Sequence, residues 1–129
     1  MIKRFEEIKA WQKARELVGE VYRSCVAGPI AKDYGLKDQL CRAAVSSMSN
    51  IAEGFARRTD RDFAHFLDVA KGSAIEVQSL LYVALDVGYF AQGDFQRLYK
   101  SVEELTSLIG GFSTYLRRTP KVAIERLGD

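Results

Sequence analysis

The sequence predicts an all-α protein, folded as an antiparallel four-helix bundle whose helices run up, down, up and down. Apolar residues recur at three- and four-residue steps over four long stretches, which is the spacing of one face of an α-helix. Only two prolines occur, Pro29 and Pro120, and both fall where a helix is expected to end. No stretch indicates a β-strand, and short connections between long helices favour antiparallel neighbours.

The composition indicates one domain without a membrane span. The chain has 129 residues, of which 47% are hydrophobic, so we expect one bundle over residues 1–119 and a short tail over residues 120–129. The longest strongly apolar stretch, Leu80–Leu85, is far shorter than the ~20 residues that cross a bilayer. The charged segment after Met1 is unlike a signal peptide, and two widely separated cysteines suit a reducing compartment, so we expect a cytoplasmic location.

The first helix is predicted from Phe5 to about Val26. Gly28-Pro29 ends it, because proline disfavours helix at the residue before it and glycine costs helix entropy. Its buried stripe comprises Ile8, Trp11, Ala14, Val18, Val21 and Cys25.

The second helix is predicted from about Leu36 to a residue between Gly54 and Arg58, and it carries two stripes. The apolar stripe contains Leu40, Ala44, Met48, Ile51 and Phe55. The polar stripe contains Arg42, Ser46, Asn50, Glu53 and Arg57. Because the polar stripe mixes small residues, an amide and charges of both signs, we expect it to meet another helix closely.

The third helix is predicted to begin at Thr59 or Asp60 and to end at Gly88. Thr59 can cap it while Asp62 supplies an acid three residues on, a short-chain variant of the capping box. Its apolar stripe comprises Phe63, Phe66, Leu67, Ala70, Ala74, Val77, Leu81 and Ala84.

The fourth helix is predicted to begin with Asp94 as its N-cap and to close at Thr119-Pro120. Gly110-Gly111 interrupts it, which indicates a kink, a close approach of the backbone, or a contact point between subunits. Its apolar residues follow a heptad pattern: Phe95, Leu98, Val102, Leu105, Ile109, Phe112 and Leu116.

These residues resemble a known family, the four-helix-bundle proteins first recognised in intervening sequences of bacterial 23S rRNA genes. The accessory variability determinant of diversity-generating retroelements is a relative. The similarity covers about residues 5–116, and Ser47 and Met48 depart from the family pattern. The matching motifs are Trp11-Gln12-Lys13-Ala14, Tyr34-Gly35-Leu36, Gln39, Arg42-Ala43-Ala44, Ser49-Asn50-Ile51-Ala52-Glu53-Gly54, Gly72-Ser73 with Glu76, and Gly88-Tyr89.

The resemblance implies a four-helix bundle that assembles into a cyclic homopentamer, in a family without an established enzymatic activity. The retroelement relatives bind nucleic acid and a reverse transcriptase through a strongly basic surface. The formal net charge of this chain is only +2, from 19 basic and 17 acidic residues. Its overall charge therefore does not by itself indicate a nucleic-acid binder.

Polar residues of the second and third helices form a candidate network: Arg42, Asn50, Glu53, Ser73 and Glu76. Within it, Arg42 could bridge a carboxylate through two parallel hydrogen bonds. One interpretation is a structural network that sets helix register or the subunit contact. The other is a ligand or catalytic site. A carboxylate beside an arginine lacks a nucleophile or metal partner, which favours the structural interpretation.

No catalytic, cofactor or metal site is predicted. The single histidine, His65, supplies half of one of the motifs that a di-iron bundle requires, and it falls off the apolar stripe. Cys25 and Cys41 form no Cys-x-x-Cys pair, and we expect buried thiols rather than redox-active ones. No glycine-rich phosphate-binding motif occurs, so the protein is expected not to be an enzyme and to need no cofactor.

Charge is distributed unevenly along the predicted bundle. The start of the first helix, the connection between the second and third, and the end of the fourth share one end, which collects nine basic and six acidic residues. The candidate nucleic-acid contacts there are Arg57, Arg58, Arg61, Arg117, Arg118 and Lys121. In a cyclic ring these ends lie on one face, where arginines can hold phosphates. The alternative is that they are solvated cations that complement the helix C-termini.

Three kinds of function follow from these features. The first is a non-enzymatic oligomeric scaffold that binds nucleic acid or a nucleoprotein through the basic end. The second is a structural or protein–protein interaction module without nucleic-acid affinity. The third, a bundle that binds a metal or a small molecule, is disfavoured by the absence of a predicted ligand set.

Overall fold

The protein forms a bundle of four α-helices in a computed structural model that describes residues 2–118. The helices are α1 (Lys9–Ser24), α2 (Tyr34–Phe55), α3 (Asp60–Asp86) and α4 (Gln92–Arg118), and short 3-10 helices span Phe5–Glu7 and Pro29–Lys32. Each helix packs on the next along the chain, and α4 packs on α1, which closes the bundle. The predicted all-α four-helix bundle is confirmed. The predicted tail and Thr119-Pro120 lie outside the described residues.

The core runs along the bundle axis and is built mainly from the apolar stripes that the sequence predicts. Phe63 packs edge-on against Phe112, with ring centroids 5.3 Å apart. Such burial stabilises the fold by about 25 cal/mol per Å² of apolar surface. The largest fully buried side chains are Ile8, Leu17, Ile30, Leu40, Ile51, Phe63, Leu67, Leu81, Leu98, Leu105, Ile109 and Leu116. Within residues 2–118, no helix combines the length and the apolar character that a membrane crossing requires.

Side-chain caps fix the N-termini of α2 and α3. The carboxylate of Asp33 accepts a hydrogen bond from the backbone N–H of Leu36 (3.1 Å), and α2 begins at Tyr34 rather than at the predicted Leu36. The hydroxyl of Thr59 accepts a hydrogen bond from the backbone N–H of Asp62 (3.0 Å), as predicted. Both caps satisfy N–H groups that have no partner inside their helix.

The predicted first helix is interrupted near its start. Phe5–Glu7 forms a 3-10 helix, Ile8 has an extended backbone (φ −74°, ψ 120°), and α1 begins only at Lys9. The side chain of Gln12 donates to the carbonyl of Glu6 (2.8 Å) across this break. The side chain of Ile8 is 1% exposed, so the break places an apolar residue in the core.

The predicted start of the fourth helix is also wrong, because α4 begins at Gln92. Gly88 adopts a positive φ of 82°, which glycine tolerates without strain. The backbone N–H of Phe90 then bonds to the carbonyl of Ala84 (3.2 Å), and the Phe90 ring is buried. Because the turn is this tight, α4 begins two residues before the predicted N-cap. Asp94 therefore lies inside the first turn of α4.

Glycines have contrasting surroundings at two points of the bundle. At Gly54 the helices α2 and α3 approach so closely that a Cβ atom would lie 2.7 Å from Phe63 Cδ1 and 2.8 Å from Phe66 Cβ. At Gly110 and Gly111, in contrast, α4 is uninterrupted, and a Cβ atom would meet no atom of residues 2–118 within 4 Å. Close approach within the described chain therefore does not explain this pair, and contact between subunits stays a prediction.

Candidate nucleic-acid interface

One end of the bundle carries a cluster of exposed basic side chains. The segment before α1, the turn between α2 and α3, and the last turn of α4 lie at this end. We call it the basic pole and define it by Lys3, Arg4, Arg57, Arg58, Arg61, Arg117 and Arg118, all of which are exposed. The sixth candidate contact from the sequence, Lys121, lies outside the described residues.

Two arginines of the basic pole are held by neighbouring side chains. The guanidinium of Arg57 lies 4.3 Å from the centre of the Phe66 ring, within the range of a cation–π interaction. Arg117 donates from Nη2 to Asp68 Oδ2 (3.2 Å) and from Nη1 to the hydroxyl of Ser113. These contacts restrict both side chains in advance, so less conformational entropy is lost when a ligand binds.

The start of α3 and the end of α4 form a shared groove at the basic pole. Arg61 and Arg117 line this groove together with Asp60, Ala64 and Leu116, and its volume is about 300 Å³. The carboxylate oxygens of Asp60 are shielded from solvent. Arginines from two different helices therefore converge on one depression of the surface.

Acidic residues reduce the net charge of the basic pole. The carboxylates at this end include those of Glu6, Glu7, Asp60 and Asp62. Arg4 pairs with Glu6 (3.1 Å), and a backbone hydrogen bond together with this arginine lowers the pKa of Glu6. In contrast, Arg58, Arg61 and Arg118 make no ion pair with any residue between 2 and 118. These three guanidinium groups face solvent.

The fold assembles part of the predicted polar network between α2 and α3. The hydroxyl oxygens of Ser46 and Ser73 lie 2.8 Å apart. The amide of Asn50 donates to the carbonyl (2.8 Å) and to the hydroxyl (3.1 Å) of Ser46. Ser46 lies on the predicted polar stripe, yet the predicted network omits it, although its hydroxyl links Asn50 to Ser73.

The charged members of the predicted network lie elsewhere. Arg42 Nε donates to Asp38 Oδ2 (2.8 Å), one turn earlier on α2, so the expected bridge from Arg42 to a carboxylate of the other helix is not formed. A partner four residues away on one helix face is a common local pairing. Glu53 and Glu76 are exposed, and neither carboxylate makes an ion pair or hydrogen bond within residues 2–118.

A polar contact between α1 and α4 has no counterpart in the sequence prediction. Glu20 accepts hydrogen bonds from the hydroxyl of Ser101 (2.8 Å) and from Arg97 Nη1 (3.3 Å). Glu20 and Ser101 are 81 positions apart, and neither belongs to a motif. Only the packing of α1 on α4 brings them together, so no local signal could have found them.

The chemistry that the basic pole offers is binding of anionic groups. A guanidinium can donate two parallel N–H bonds to a phosphate or a carboxylate.

Residues 2–118 contain no group of three histidine, cysteine, aspartate or glutamate side chains that could hold a metal ion. His65 is exposed, and its ring lies edge-on to Phe66 with centroids 5.9 Å apart.

Comparison with known proteins identifies a family and a fold. The sequence profile of the family described as 23S rRNA-intervening sequence protein matches residues 6–111. A solved structure from Bacteroides thetaiotaomicron VPI-5482, a protein of unknown function from the S23 ribosomal protein family, superposes with a TM-score of 0.73. The sequence identity is 20%, over 81% of this chain and 97% of that chain, so the likeness shows the fold alone. No curated protein matches this sequence significantly.

Proposed function

Because this chain belongs to the 23S rRNA-intervening sequence protein family, as its motifs predicted, we propose a function from the surface that this fold presents. The protein is a non-enzymatic scaffold, a cyclic homopentamer, that binds nucleic acid or a nucleoprotein through its basic pole. The observation that carries the proposal is the convergence of five exposed arginines at one end of the bundle. They come from the turn between α2 and α3, the first turn of α3 and the last turn of α4.

The state of these arginines supports binding to phosphates. Arg58, Arg61 and Arg118 are exposed, and each makes no ion pair within residues 2–118, so binding a phosphate breaks no such pair. Arg57 and Arg117 are already oriented by Phe66 and Asp68. Each phosphate that an arginine neutralises releases counterions from the nucleic acid and makes binding sensitive to salt. A ring would place the arginines of every subunit on one face and multiply this effect.

Two helix stretches with little charge support self-association. Residues 72–85 of α3 contain a single charged residue, Glu76, and residues 105–116 of α4 contain none. A helix face that is apolar and yet exposed in one subunit is typical of a subunit contact. Large apolar side chains are exposed on these stretches: Ile75, Tyr82, Val83, Leu108 and Tyr115.

The test is a titration of the purified protein into labelled structured RNA and duplex DNA at two salt concentrations. We expect the affinity to fall steeply with salt, with a slope of about −0.9 in log K for each phosphate contacted on a duplex. Arg58→Glu combined with Arg61→Glu is expected to weaken binding at least about tenfold at low salt, because the phosphate contacts of both arginines are lost.

The matched control reverses the same number of charges away from the basic pole. Arg23→Glu combined with Lys100→Glu changes two exposed residues of α1 and α4 outside this end, and it is expected to leave most of the affinity intact. Equal losses in both double variants would mean that net charge, rather than the basic pole, governs binding. No binding at low salt would contradict the proposal.

The alternative function is a structural or protein–protein interaction module without nucleic-acid affinity. The acidic residues of the basic pole favour it, as does the ion pair between Arg117 and Asp68 (3.2 Å). This alternative predicts a partner whose affinity changes little with salt and is insensitive to Arg58→Glu combined with Arg61→Glu. The two proposals are therefore separated by the same pair of variants.

A further inference from the structure

Cys25 and Cys41 are distant in the sequence, but the fold brings them together at the end of the bundle opposite the basic pole. Cys25 is the C-cap of α1, and Cys41 lies on the buried side of α2. Both side chains line one groove of about 940 Å³, together with Lys37 and Asp38. Both are free thiols, with 3% of Cys25 and 9% of Cys41 exposed. The sequence predicted thiols that are buried, which is confirmed, and that are not redox-active; it did not predict that they meet.

The two thiols interact, and their surroundings are unequal. Burial raises the pKa of both, that of Cys25 to about 12. The interaction between them raises the pKa of Cys25 further and lowers that of Cys41. Asp38 raises the pKa of Cys41.

The positive charge of Lys37 acts on both thiols. It precedes Cys41 by one turn of α2, and its charge lowers the pKa of both thiols. Its ammonium group donates to the carbonyl of Ala31 (3.2 Å) and lies 5.2 Å from the centre of the Tyr34 ring. These contacts hold the ammonium group beside the groove, where it favours a thiolate when one forms.

We propose that Cys25 and Cys41 form a reversible intramolecular disulfide by exchange with a low-molecular-weight disulfide of the glutathione type. Cys41 is the attacking thiol, because it is the more exposed of the two. Cys25 is the resolving thiol. The groove that both side chains line gives the small disulfide its access.

The exchange proceeds in two balanced steps. Cys41 loses its proton, its sulfur attacks one sulfur of the small disulfide, and a small thiolate leaves and takes up a proton. Cys25 then loses its proton and attacks the sulfur of Cys41, which expels the second small thiol. In total, two cysteine thiols are oxidised to one disulfide and one small disulfide is reduced to two thiols.

The backbone of Cys25 lies at the end of α1, where the last carbonyl groups have no partner inside the helix. Cysteine sulfurs must come within about 2.05 Å, which usually needs a small backbone adjustment unless the two residues are already aligned. The backbone N–H of Cys25 makes the last bond at the end of α1, to the carbonyl of Tyr22 (3.0 Å). The chain then leaves the helix and turns at Gly28, where φ is +78°. Cys25 thus lies at the end of its helix, whereas Cys41 lies inside α2.

The experiment treats the full-length protein with oxidised glutathione near neutral pH and follows the intact mass. We expect the wild type to lose two hydrogens without a lasting glutathione adduct. Cys25→Ser is expected to accumulate one glutathione on Cys41, because the resolving thiol is absent. Cys41→Ser is expected to react at least about tenfold more slowly, because the remaining thiol of Cys25 is buried and rarely ionised.

Two further variants and a fold control make the outcome decisive. Lys37→Met is expected to slow the first step several-fold, whereas Lys32→Met, outside the groove lining, is expected to leave it unchanged. Circular dichroism establishes that each variant is folded, and Cys25→Ala replaces Cys25→Ser if the serine variant is not. A wild type that stays reduced while the denatured chain oxidises, or that forms only intermolecular disulfides, would overturn the proposal. Faster adduct formation on Cys25 than on Cys41 would overturn the assignment of roles.

Discussion

At the residue scale, Gly54 determines how closely α2 and α3 pack. An alanine at this position would favour the helix by about 1 kcal/mol on propensity alone. Its Cβ atom, however, would lie 2.7 Å from Phe63 Cδ1 and 2.8 Å from Phe66 Cβ, distances that real Cβ atoms do not adopt. Phe63 is fully buried, and its ring packs edge-on against the rings of Phe55 and Phe112. A glycine at this position therefore allows the close packing of α2 on α3 at the expense of helix propensity.

Replacing Gly54 with alanine is expected to lower the free energy of unfolding by about 1–3 kcal/mol, since overpacking a dense core outweighs the gain in helix propensity. Gly72→Ala is the matched control, because a Cβ atom there meets no atom of residues 2–118 within 4 Å. The control is expected to raise the free energy of unfolding by up to about 1 kcal/mol. Urea denaturation at one protein concentration measures both, and equal stabilisation would contradict the close contact.

The buried thiol of Cys25 predicts a pH dependence of stability. Burial, followed by the neighbouring Cys41, raises its pKa from 9.0 to about 12, against the opposing charge of Lys37. Because the folded state binds this proton more tightly than the unfolded chain, the stabilising contribution is complete below about pH 9 and is lost as the pH rises toward about 12. The free energy of unfolding of Cys25→Ala should therefore fall less over that range than that of the wild type. Parallel pH profiles would contradict the raised pKa.

At the scale of elements, one carboxylate joins the start of α2 to the turn after α3. Asp33 Oδ1 caps α2 through the backbone N–H of Leu36 (3.1 Å), and Asp33 Oδ2 accepts a hydrogen bond from the hydroxyl of Tyr89 (2.9 Å). The same carboxylate raises the pKa of Tyr89, because a phenolate would lose this hydrogen bond and lie beside a negative charge. The carboxylate of Asp33 thus anchors both the segment before α2 and the turn after α3, which are distant in sequence.

Removing this anchor is expected to affect both connections. Asp33→Ala should lower the free energy of unfolding by about 1–3 kcal/mol, since it removes a helix cap and leaves the Tyr89 hydroxyl without its acceptor. Tyr89→Phe should cost only about 0.5–1.5 kcal/mol, because the cap survives. A double-mutant cycle measured by chemical denaturation isolates the Asp33–Tyr89 interaction. Strictly additive effects of the two substitutions would show that the hydrogen bond contributes nothing.

At the scale of the whole molecule, charge and exposed apolar surface occupy different regions. The basic pole lies at one end, whereas Ile75, Tyr82 and Val83 of α3 and Leu108 of α4 are exposed along the sides, and Tyr115 lies where the two regions meet in the last turn of α4. A cyclic ring joins two different surfaces of each copy and points all copies in the same direction. The proposed assembly thus uses the sides for self-association and leaves the basic pole for a partner.

Introducing a charge on these sides is expected to separate the subunits. The wild type should have about five times the 14.5 kDa mass of one chain by light scattering at micromolar concentration. Leu108→Glu is expected to reduce this mass while the helical circular dichroism is retained, because an unpaired carboxylate would be buried in the contact. Gln96→Glu adds the same charge to another exposed position of α4 and should leave the mass unchanged. A monomeric wild type would contradict the pentamer.

The candidate site shows which of its features can be predicted from neighbouring residues in the sequence and which cannot. The positions of Arg57, Arg58 and Arg61 at one end follow from the order of the helices alone, because an up-down bundle brings alternate connections to the same end. The partner of Arg42 does not follow, since a local acid, Asp38, competes with acids of the neighbouring helix. Side-chain pairing depends on rotamers and on the rotation of each helix about its axis, which periodicity determines only roughly.

The four helices, their buried faces and the cap at Thr59 could be predicted from the sequence, because each depends on residues within a few positions of one another. The start of α4 and the side chains that meet across helices could not, and they became known only from the packed bundle. The start of α4 depends on the burial of Phe90 and on its bond to the carbonyl of Ala84, contacts that exist only once the turn has packed on the core. The meeting of Cys25 with Cys41 likewise depends on how the end of α1 lies against α2. Such contacts join distant residues, so their free energy appears only when the whole bundle has formed.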